Sequence, residues 1–232
     1  MPTPALTILF PLYPGVTHLD FTGPQQVLSR LPGAVTIMAS RDGGSLEADG
    51  ITFGALARLA DVERCDVICI PGGFGTTAAM NDEAFMTEIR RLAGGATYVT
   101  SVCTGSLILG AAGLLKGKRA ACHWAWRDLL PLFGAIPDES RVARDGNIFT
   151  GGGVTAGIDF ALTLAAEIAG PMFAQQLQLS FEYAPAPPFN AGRPDLAPPE
   201  VLAAVTGFMA RSGALRREGA ERAAAMMETM GA

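Results

Sequence analysis

The sequence predicts a single α/β domain with a doubly wound, mostly parallel sheet and helices on both faces. Short apolar runs, several of them rich in Val, Ile and Thr, alternate along the chain with segments that have helical spacing. This alternation is typical of parallel strands joined by crossover helices. Glycine-rich breaks at 71–75 and 151–153 each follow an apolar run. Because ligands of open α/β sheets bind where strands end, we expect the functional site there.

The individual elements follow from these runs in chain order. The strands are expected at 6–10, 35–39, 67–70, 98–102 and 147–150, with a further short strand at 119–122. The helices are expected at 24–31, 83–92, 105–113 and 155–169. The first helix is placed from Pro24 onward because proline is favoured in the first turn of a helix.

The C-terminal part of the chain has a different pattern. The Pro-rich stretch 184–190 (APAPPFN) fits neither a central strand nor a helix interior, so it is predicted to be an extended arm. Residues 199–230 carry Met and Leu at helical spacing and are predicted to be a helix. We therefore divide the chain into a domain at 1–183 and an arm plus helix at 184–232, which pack on that domain or on a second subunit.

Composition excludes several classes of function. The net charge is −5, and the 17 Lys and Arg residues are scattered, so no basic face is available for nucleic acid. The chain has no apolar run of about 18 residues and no signal-like N-terminus, so we expect a cytoplasmic protein without a membrane segment. Four cysteines without a Cys-x-x-Cys spacing and only two histidines disfavour disulfides and a metal site.

Cys103 stands where the β-prone run 98–102 passes into a helix-spaced segment of small residues. Such a nucleophile elbow exposes a reactive side chain above the carboxyl edge of the sheet, and Gly105 would let the helix pack closely behind it. Because the helix N-terminus favours a thiolate, we expect a lowered pKa and a nucleophilic Cys103. The alternative is a buried apolar residue, which is our interpretation of Cys65, Cys69 and Cys122.

Gly72 and Gly73 follow the preceding predicted strand and could direct backbone N–H groups toward an anionic ligand. A dinucleotide-binding fingerprint is the competing interpretation, because Gly73, Gly75 and Ala78 match its degenerate spacing. The acidic residue that this fingerprint requires at the end of the next strand is absent. A plain turn also fits the two glycines.

Two residues could exchange protons with Cys103, and they imply different chemistries. His123, after the short strand at 119–122, would form a Cys–His dyad of the hydrolase type, or it is a structural histidine. Asp20, after the first strand, would serve as an acid, or it caps a helix. The residues alone leave both alternatives open.

Five segments together carry a family resemblance over nearly the whole chain. They are 19–24 (LDFTGP), 70–73 (IPGG), 101–106 (SVCTGS), 151–159 (GGGVTAGID) and 182–190 (EYAPAPPFN). The sequence resembles the DJ-1/PfpI superfamily and, within it, the bacterial isocyanide hydratases. Thr104 after the elbow cysteine and Asp20 in place of a Glu both favour that branch over the proteases and deglycases. Val154 departs from the resemblance, since a bulkier Ile is expected beside the nucleophile.

The resemblance implies a flavodoxin-like sheet of the class I glutamine amidotransferase type, a homodimer, and hydration of organic isocyanides to N-substituted formamides. Cys103 would attack the isocyanide carbon and form a thioimidate, with Asp20 as general acid and base. Thr104, Gly72 and Gly73 would position the nucleophile or the reacting water. The reaction implied needs no metal or organic cofactor.

Two rival functions remain open at this point. The main alternative is a Cys–His hydrolase or a deglycase that uses Cys103 with His123. The second is a cysteine-bearing sensor module, since transcriptional regulators carry a similar domain. We expect such a regulator to continue into a basic DNA-binding half, whereas this sequence ends at Ala232.

Overall fold

A computed structural model describes residues 5–230. Residues 1–4 of the predicted domain and residues 231–232 of the predicted arm plus helix lie outside that part. Its strands are β1 (Leu6–Leu12), β2 (Ala34–Ser40), β3 (Leu46–Ala48), β4 (Ile51–Phe53), β5 (Ala57–Arg58), β6 (Val67–Ile70), β7 (Tyr98–Val102), β8 (Arg119–Ala120), β9 (Ile136–Pro137), β10 (Val142–Asp145) and β11 (Ile148–Gly151). Its α-helices are α1 (Leu19–Leu28), α2 (Thr76–Ala79), α3 (Glu83–Gly95), α4 (Gly105–Ala111), α5 (Ala156–Ala169), α6 (Pro171–Ser180) and α7 (Pro199–Met230). Two 3₁₀ segments lie at Leu59–Asp61 and Trp124–Phe133.

The main sheet confirms the predicted fold class. Its seven strands run in the order β10-β11-β7-β6-β1-β2-β5, and each neighbouring pair is parallel except β10 and β11. The strands β2-β1-β6-β7-β11 have the flavodoxin-like order, which reverses direction between β1 and β6. Ligands of such sheets bind at the carboxyl ends beside this reversal. Every residue of β6 is buried, so the site stands on the rigid centre of the sheet.

Helices pack in two groups around the sheet. Right-handed crossovers from β1 to β2 and from β6 to β7 run in opposite directions along the sheet, which places α1 and α3 on opposite faces. Helix α1 packs against α5, and α5 packs against α6. On the other side α2, α4, α7 and the 3₁₀ segment Trp124–Phe133 contact one another. No helix within residues 5–230 combines the length and apolarity needed to cross a membrane.

The predicted start of the first helix is wrong. Helix α1 begins at Leu19 and includes Pro24 in its interior, so Asp20 lies in the first turn. The turn is held by the His18 carbonyl, which accepts hydrogen bonds from the backbone N–H groups of Phe21 and Thr22. Proline so near the start removes only one hydrogen bond of the helix, and its ring packs beside Gly157 of α5.

Two further elements differ from the predictions. The predicted strand at 119–122 is only the two-residue β8, which pairs with β9 in a separate small sheet. Helix α6 was missed, although Pro171 stands at its first position. Gly170 has φ of 90°, and this turn separates α6 from α5.

The C-terminal segment adopts an arm and a long helix. The stretch 184–190 has no regular secondary structure and is exposed throughout. The second half of α7 packs on the domain of the same chain: Ala220 and Ala223 are buried, and the side-chain amide of Asn81 donates to the Gly219 carbonyl at 3.0 Å. The first half of α7 is largely exposed.

Candidate active site

Cys103 occupies a strained turn between β7 and α4. Its φ is +60°, a left-handed conformation that non-glycine residues rarely adopt and that is found at functional sites. Its backbone N–H donates to the carbonyls of Gly152 at 2.7 Å and Gly151 at 3.1 Å, and these bonds hold the turn. A side chain at Gly105 would collide with the backbone of Ile70 and Pro71. The nucleophile elbow predicted from the sequence is therefore present, with its close helix packing.

Asp20 lies beside the elbow and is completely buried. Its Oδ2 accepts a hydrogen bond from the Gly72 N–H at 2.8 Å, and its Oδ1 has no hydrogen-bond partner within residues 5–230. Burial raises the pKa of Asp20 from 3.8 to about 7, while the Gly72 N–H and the neighbouring Cys103 thiol lower it by less. The carboxyl group is therefore poised to exchange a proton near neutral pH.

The expected lowering of the Cys103 pKa is wrong. Burial, and then the negative charge of Asp20, raise the pKa of the Cys103 thiol well above its ordinary value. The Thr104 N–H and hydroxyl favour the thiolate, but their effect is smaller. Helix α4 has only seven residues, so its dipole does not offset complete burial. The resting pair holds its proton on sulfur, next to a carboxylate.

Thr104 connects the elbow to the glycine turn after β6. Its hydroxyl accepts a hydrogen bond from the Gly73 N–H at 3.0 Å and shares one with the hydroxyl of Thr76 at 2.7 Å. Thr76 in turn donates to the Gly73 carbonyl at 2.8 Å. The three residues form a buried network that fixes the Thr104 side chain next to Cys103.

The backbone N–H groups of Gly72 and Gly73 are used within the protein. Both were expected to donate N–H groups to a ligand, but Gly72 donates to Asp20 and Gly73 donates to Thr104. A Cβ at Gly72 would lie 2.6 Å from Thr104 Oγ1 and 2.9 Å from Cys103 Cβ. Residue 72 must therefore be glycine, because its backbone lies directly against Cys103 and Thr104. Its N–H orients Asp20 rather than a ligand.

His123 lies near Cys103 but is not hydrogen-bonded to it within the described residues. It precedes the 3₁₀ segment Trp124–Phe133, and its Nδ1 accepts from the Ala125 N–H at 3.3 Å. Burial, and then the charge of Arg216, lower the pKa of His123, so the ring is neutral at pH 7. The contacts of His123 are those of a capping residue.

A cavity of about 120 Å³ opens beside Cys103. Its lining residues come from the sheet edge, the glycine turns and helix α7. They are Thr17, Gly73, Phe74, Cys103, Thr104, His123, Trp126, Val154, Met209 and Arg216. Cys103, Thr104, Gly73, His123 and Val154 were named from the sequence, and the structure places all five on one cavity. Among residues 5–230, no three His, Cys, Asp or Glu side chains are grouped to hold a metal ion.

The contribution of helix α7 and its neighbours to the cavity was not predicted from the sequence. Arg216 and Met209 come from α7, and Trp126 from the 3₁₀ segment. Arg216 is one of several arginines in an Ala-rich segment, and nothing in its local pattern distinguishes it. That Arg216 faces the domain becomes evident only when the packing of α7 is known.

Comparisons with known proteins agree with the geometry. The family model described as "DJ-1/PfpI family" matches residues 6–167. An isonitrile hydratase of Pseudomonas putida is 53% identical over 96% of this chain and 98% of its own length. The crystal structure of a ThiJ/PfpI family protein from Pseudomonas syringae superposes with a TM-score of 0.90 at 40% identity, covering 96% of this chain and 92% of that one. An HTH-type transcriptional regulator of Pseudomonas aeruginosa, CdhR, is 29% identical over 74% of this chain and 53% of its own.

Proposed function

Because the chain belongs to the DJ-1/PfpI family, we propose that it hydrates organic isocyanides to N-substituted formamides. Cys103 is the nucleophile in this proposal, and Asp20 is the general acid and base. The observation that carries it is the buried pair at the elbow, in which a carboxyl with a pKa of about 7 adjoins a thiol. The similarity to the isonitrile hydratase of P. putida supports the choice of substrate.

In the first half-reaction the pair adds S–H across the isocyanide carbon. The sulfur attacks this carbon while Asp20 takes the thiol proton, and Asp20 then delivers that proton to the same carbon. The product is a thioimidate, in which the former isocyanide carbon carries one hydrogen and the Cys103 sulfur. A thiolate beside a neutral Asp20 has the same number of protons as a thiol beside a carboxylate. The raised pKa of Cys103 therefore requires proton transfer to accompany attack.

In the second half-reaction water replaces the sulfur. Asp20 is again a carboxylate and takes one proton from water as the oxygen attacks the thioimidate carbon. Asp20 delivers that proton to the nitrogen. As the C–S bond breaks, the remaining hydroxyl proton passes to Asp20, which gives it to the Cys103 sulfur, and the carbonyl of the formamide forms. One isocyanide and one water thus give one formamide, and the thiol is regenerated.

Thr104 and Gly72 are positioning residues in this scheme. Gly72 holds Asp20 through its N–H, and the network of Thr104, Gly73 and Thr76 holds the residue that follows the nucleophile. Val154 lines the cavity beside Cys103 and limits the size of the substrate.

A Cys–His hydrolase or deglycase is the second candidate, and a sensor is the third. The hydrolase is disfavoured because His123 is neutral, accepts a hydrogen bond from Ala125, and makes none to Cys103 in the described part of the chain. The sensor is favoured only by the similarity to the P. aeruginosa regulator, of which this chain covers 53%.

The decisive experiment follows formamide production from a small alkyl isocyanide, isobutyl isocyanide, by gas chromatography, using the purified protein. We expect turnover that is lost in Cys103→Ala and in Asp20→Asn but retained in His123→Ala. No turnover by the wild-type protein, or full turnover by Cys103→Ala, would reject the proposed function. Loss in His123→Ala with activity kept in Asp20→Asn would favour the hydrolase.

We also propose that the protein forms a homodimer. Large apolar side chains are exposed along α6, the arm and the first half of α7. They include Met172, Leu179, Phe189, Val201 and Phe208. Large exposed apolar side chains of this kind can form an interface with a second copy. Light scattering should give twice the 24.1 kDa chain mass, and a charged substitution at Leu179 should reduce it.

A further inference from the structure

Arg216 of helix α7 is a buried cation without an anionic partner within residues 5–230. Only 4% of the residue is exposed. One terminal nitrogen, Nη2, donates to the Gly73 carbonyl at 3.2 Å, whereas Nε and Nη1 have no hydrogen-bond partner in the described residues. The guanidinium lies over the ring of Trp126, at 4.7 Å from its centroid. These contacts fix the side chain and leave its charge uncompensated.

An uncompensated buried charge is costly, so its retention points to a missing anion. The side chain lines the same cavity as Cys103, and Arg216 is the one charged residue among the ten that line it. Asp20 does not supply the missing charge, because its carboxylate accepts from Gly72 and forms no ion pair with Arg216. The neutral His123 adds no positive charge.

We propose that Arg216 binds a carboxylate of the substrate, so that the isocyanides used by this enzyme are small isocyano carboxylates. The inference rests on the proposed function for the isocyanide end, and on the cavity for the other end. A cavity of about 120 Å³ is somewhat smaller than the roughly 150 Å³ that holds a benzene molecule. It therefore suits a molecule of about six non-hydrogen atoms, with its isocyanide carbon at Cys103 and its carboxylate at Arg216.

A matched pair of substrates tests this assignment. Isocyanoacetate and isobutyl isocyanide have the same number and branching of non-hydrogen atoms, but only the first carries a carboxylate. Charge-assisted hydrogen bonds discriminate by about 10- to 100-fold. We expect the wild-type kcat/KM for isocyanoacetate to exceed that for isobutyl isocyanide by this factor. Equal values in the wild-type protein would overturn the inference without any variant.

Three variants assign the preference to Arg216. Arg216→Met should bring the ratio of the two kcat/KM values close to one, chiefly by raising KM for isocyanoacetate. Arg216→Lys keeps the charge and should retain part of the preference, and it provides the test if Arg216→Met does not fold. Arg222→Met, an exposed arginine of the same helix, should leave the ratio unchanged. A wild-type ratio in folded Arg216→Met, or in Arg216→Lys if only that variant folds, would refute the role.

A binding measurement separates this inference from the proposed reaction. The probe is N-formylglycine, the product expected from isocyanoacetate, titrated calorimetrically into Cys103→Ala and into Cys103→Ala/Arg216→Met. We expect about 10-fold or greater weakening in the double variant. That result without any isocyanide turnover would support the carboxylate site while rejecting the hydratase. Hydration of isobutyl isocyanide with no Arg216-dependent binding would do the reverse.

Discussion

Replacing Asp20 with Asn should abolish turnover and at the same time stabilise the protein at alkaline pH. The two effects have one cause, because the carboxyl group proposed as general acid and base is also the buried group whose ionisation the fold disfavours. Asparagine has the same shape, accepts the Gly72 hydrogen bond through its carbonyl oxygen, and carries no charge.

The magnitude follows from the pKa of Asp20. Each pKa unit is worth about 1.4 kcal/mol, so a rise from 3.8 to about 7 costs the folded state about 4 kcal/mol at pH 8. Because the folded pKa is raised, the stability contributed by Asp20 is complete below about pH 3.8 and is lost as the pH rises through about 7. At pH 5 the same penalty is only about 2 kcal/mol. The Asn amide has no acceptor where Oδ1 now lies, which costs about 1–3 kcal/mol at either pH.

Urea denaturation at pH 5 and pH 8 measures the difference. We expect Asp20→Asn to match the wild-type protein at pH 5 within about 1.5 kcal/mol and to exceed it at pH 8 by about 1–3 kcal/mol, which corresponds to a Tm increase of about 2–4 °C per kcal/mol. Asp128→Asn is the control, because that exposed carboxylate pairs with Arg217 at the surface and its loss should change stability by less than about 1 kcal/mol at either pH. An Asp20→Asn advantage that does not grow between pH 5 and pH 8 would refute the raised pKa and the acid–base role built on it.

Three more outcomes are expected. The wild-type kcat/KM should fall as the pH drops below about 7, because Asp20 is then protonated before it accepts the thiol proton; a flat profile between pH 5 and 8 would contradict this. Iodoacetamide should modify Cys103 slowly at pH 7, since burial and then the charge of Asp20 raise the pKa of the thiol; mass spectrometry follows the adduct, and rapid wild-type alkylation would indicate a resting thiolate. Thr104→Val should lose about 1–3 kcal/mol of stability in urea, because the Gly73 N–H is left buried without its acceptor, whereas Thr104→Ser should lose less than about 1 kcal/mol.

Most of the fold could be predicted because the local patterns agree with the tertiary structure. The runs that became β1, β2, β6, β7 and β11 are short and rich in apolar or β-branched residues, as parallel strands of a covered sheet require. The errors fall where tertiary contacts override local preference. Pro24 was taken as a helix start, but it is tolerated inside α1, where its ring packs beside Gly157.

The candidate site could be predicted only in part, because some of its residues lie far from Cys103 along the chain. Cys103 is recognisable from its own neighbours, since the strand-to-helix switch lies within a few residues. The protonation state of Cys103 is not decided locally, because it depends on burial and on Asp20, which comes from the first turn of α1. Arg216 is further removed still, reaching the Gly73 carbonyl across 143 residues of sequence. Such a contact depends on how α7 docks, which no local pattern encodes.

A thiol that rests protonated suits isocyanide addition better than amide hydrolysis. The isocyanide carbon accepts both the sulfur and the proton, so one buried carboxyl that relays the proton from Cys103 to this carbon is sufficient. An amide carbonyl instead develops charge on oxygen and needs donors placed for it. The Gly72 and Gly73 N–H groups that would serve as such donors are already bonded to Asp20 and Thr104. The hydrogen bonds that hold Asp20 and Thr104 in place thus leave no donors for an oxyanion hole at these two glycines. This arrangement favours substrates in which the attacked carbon itself takes the proton.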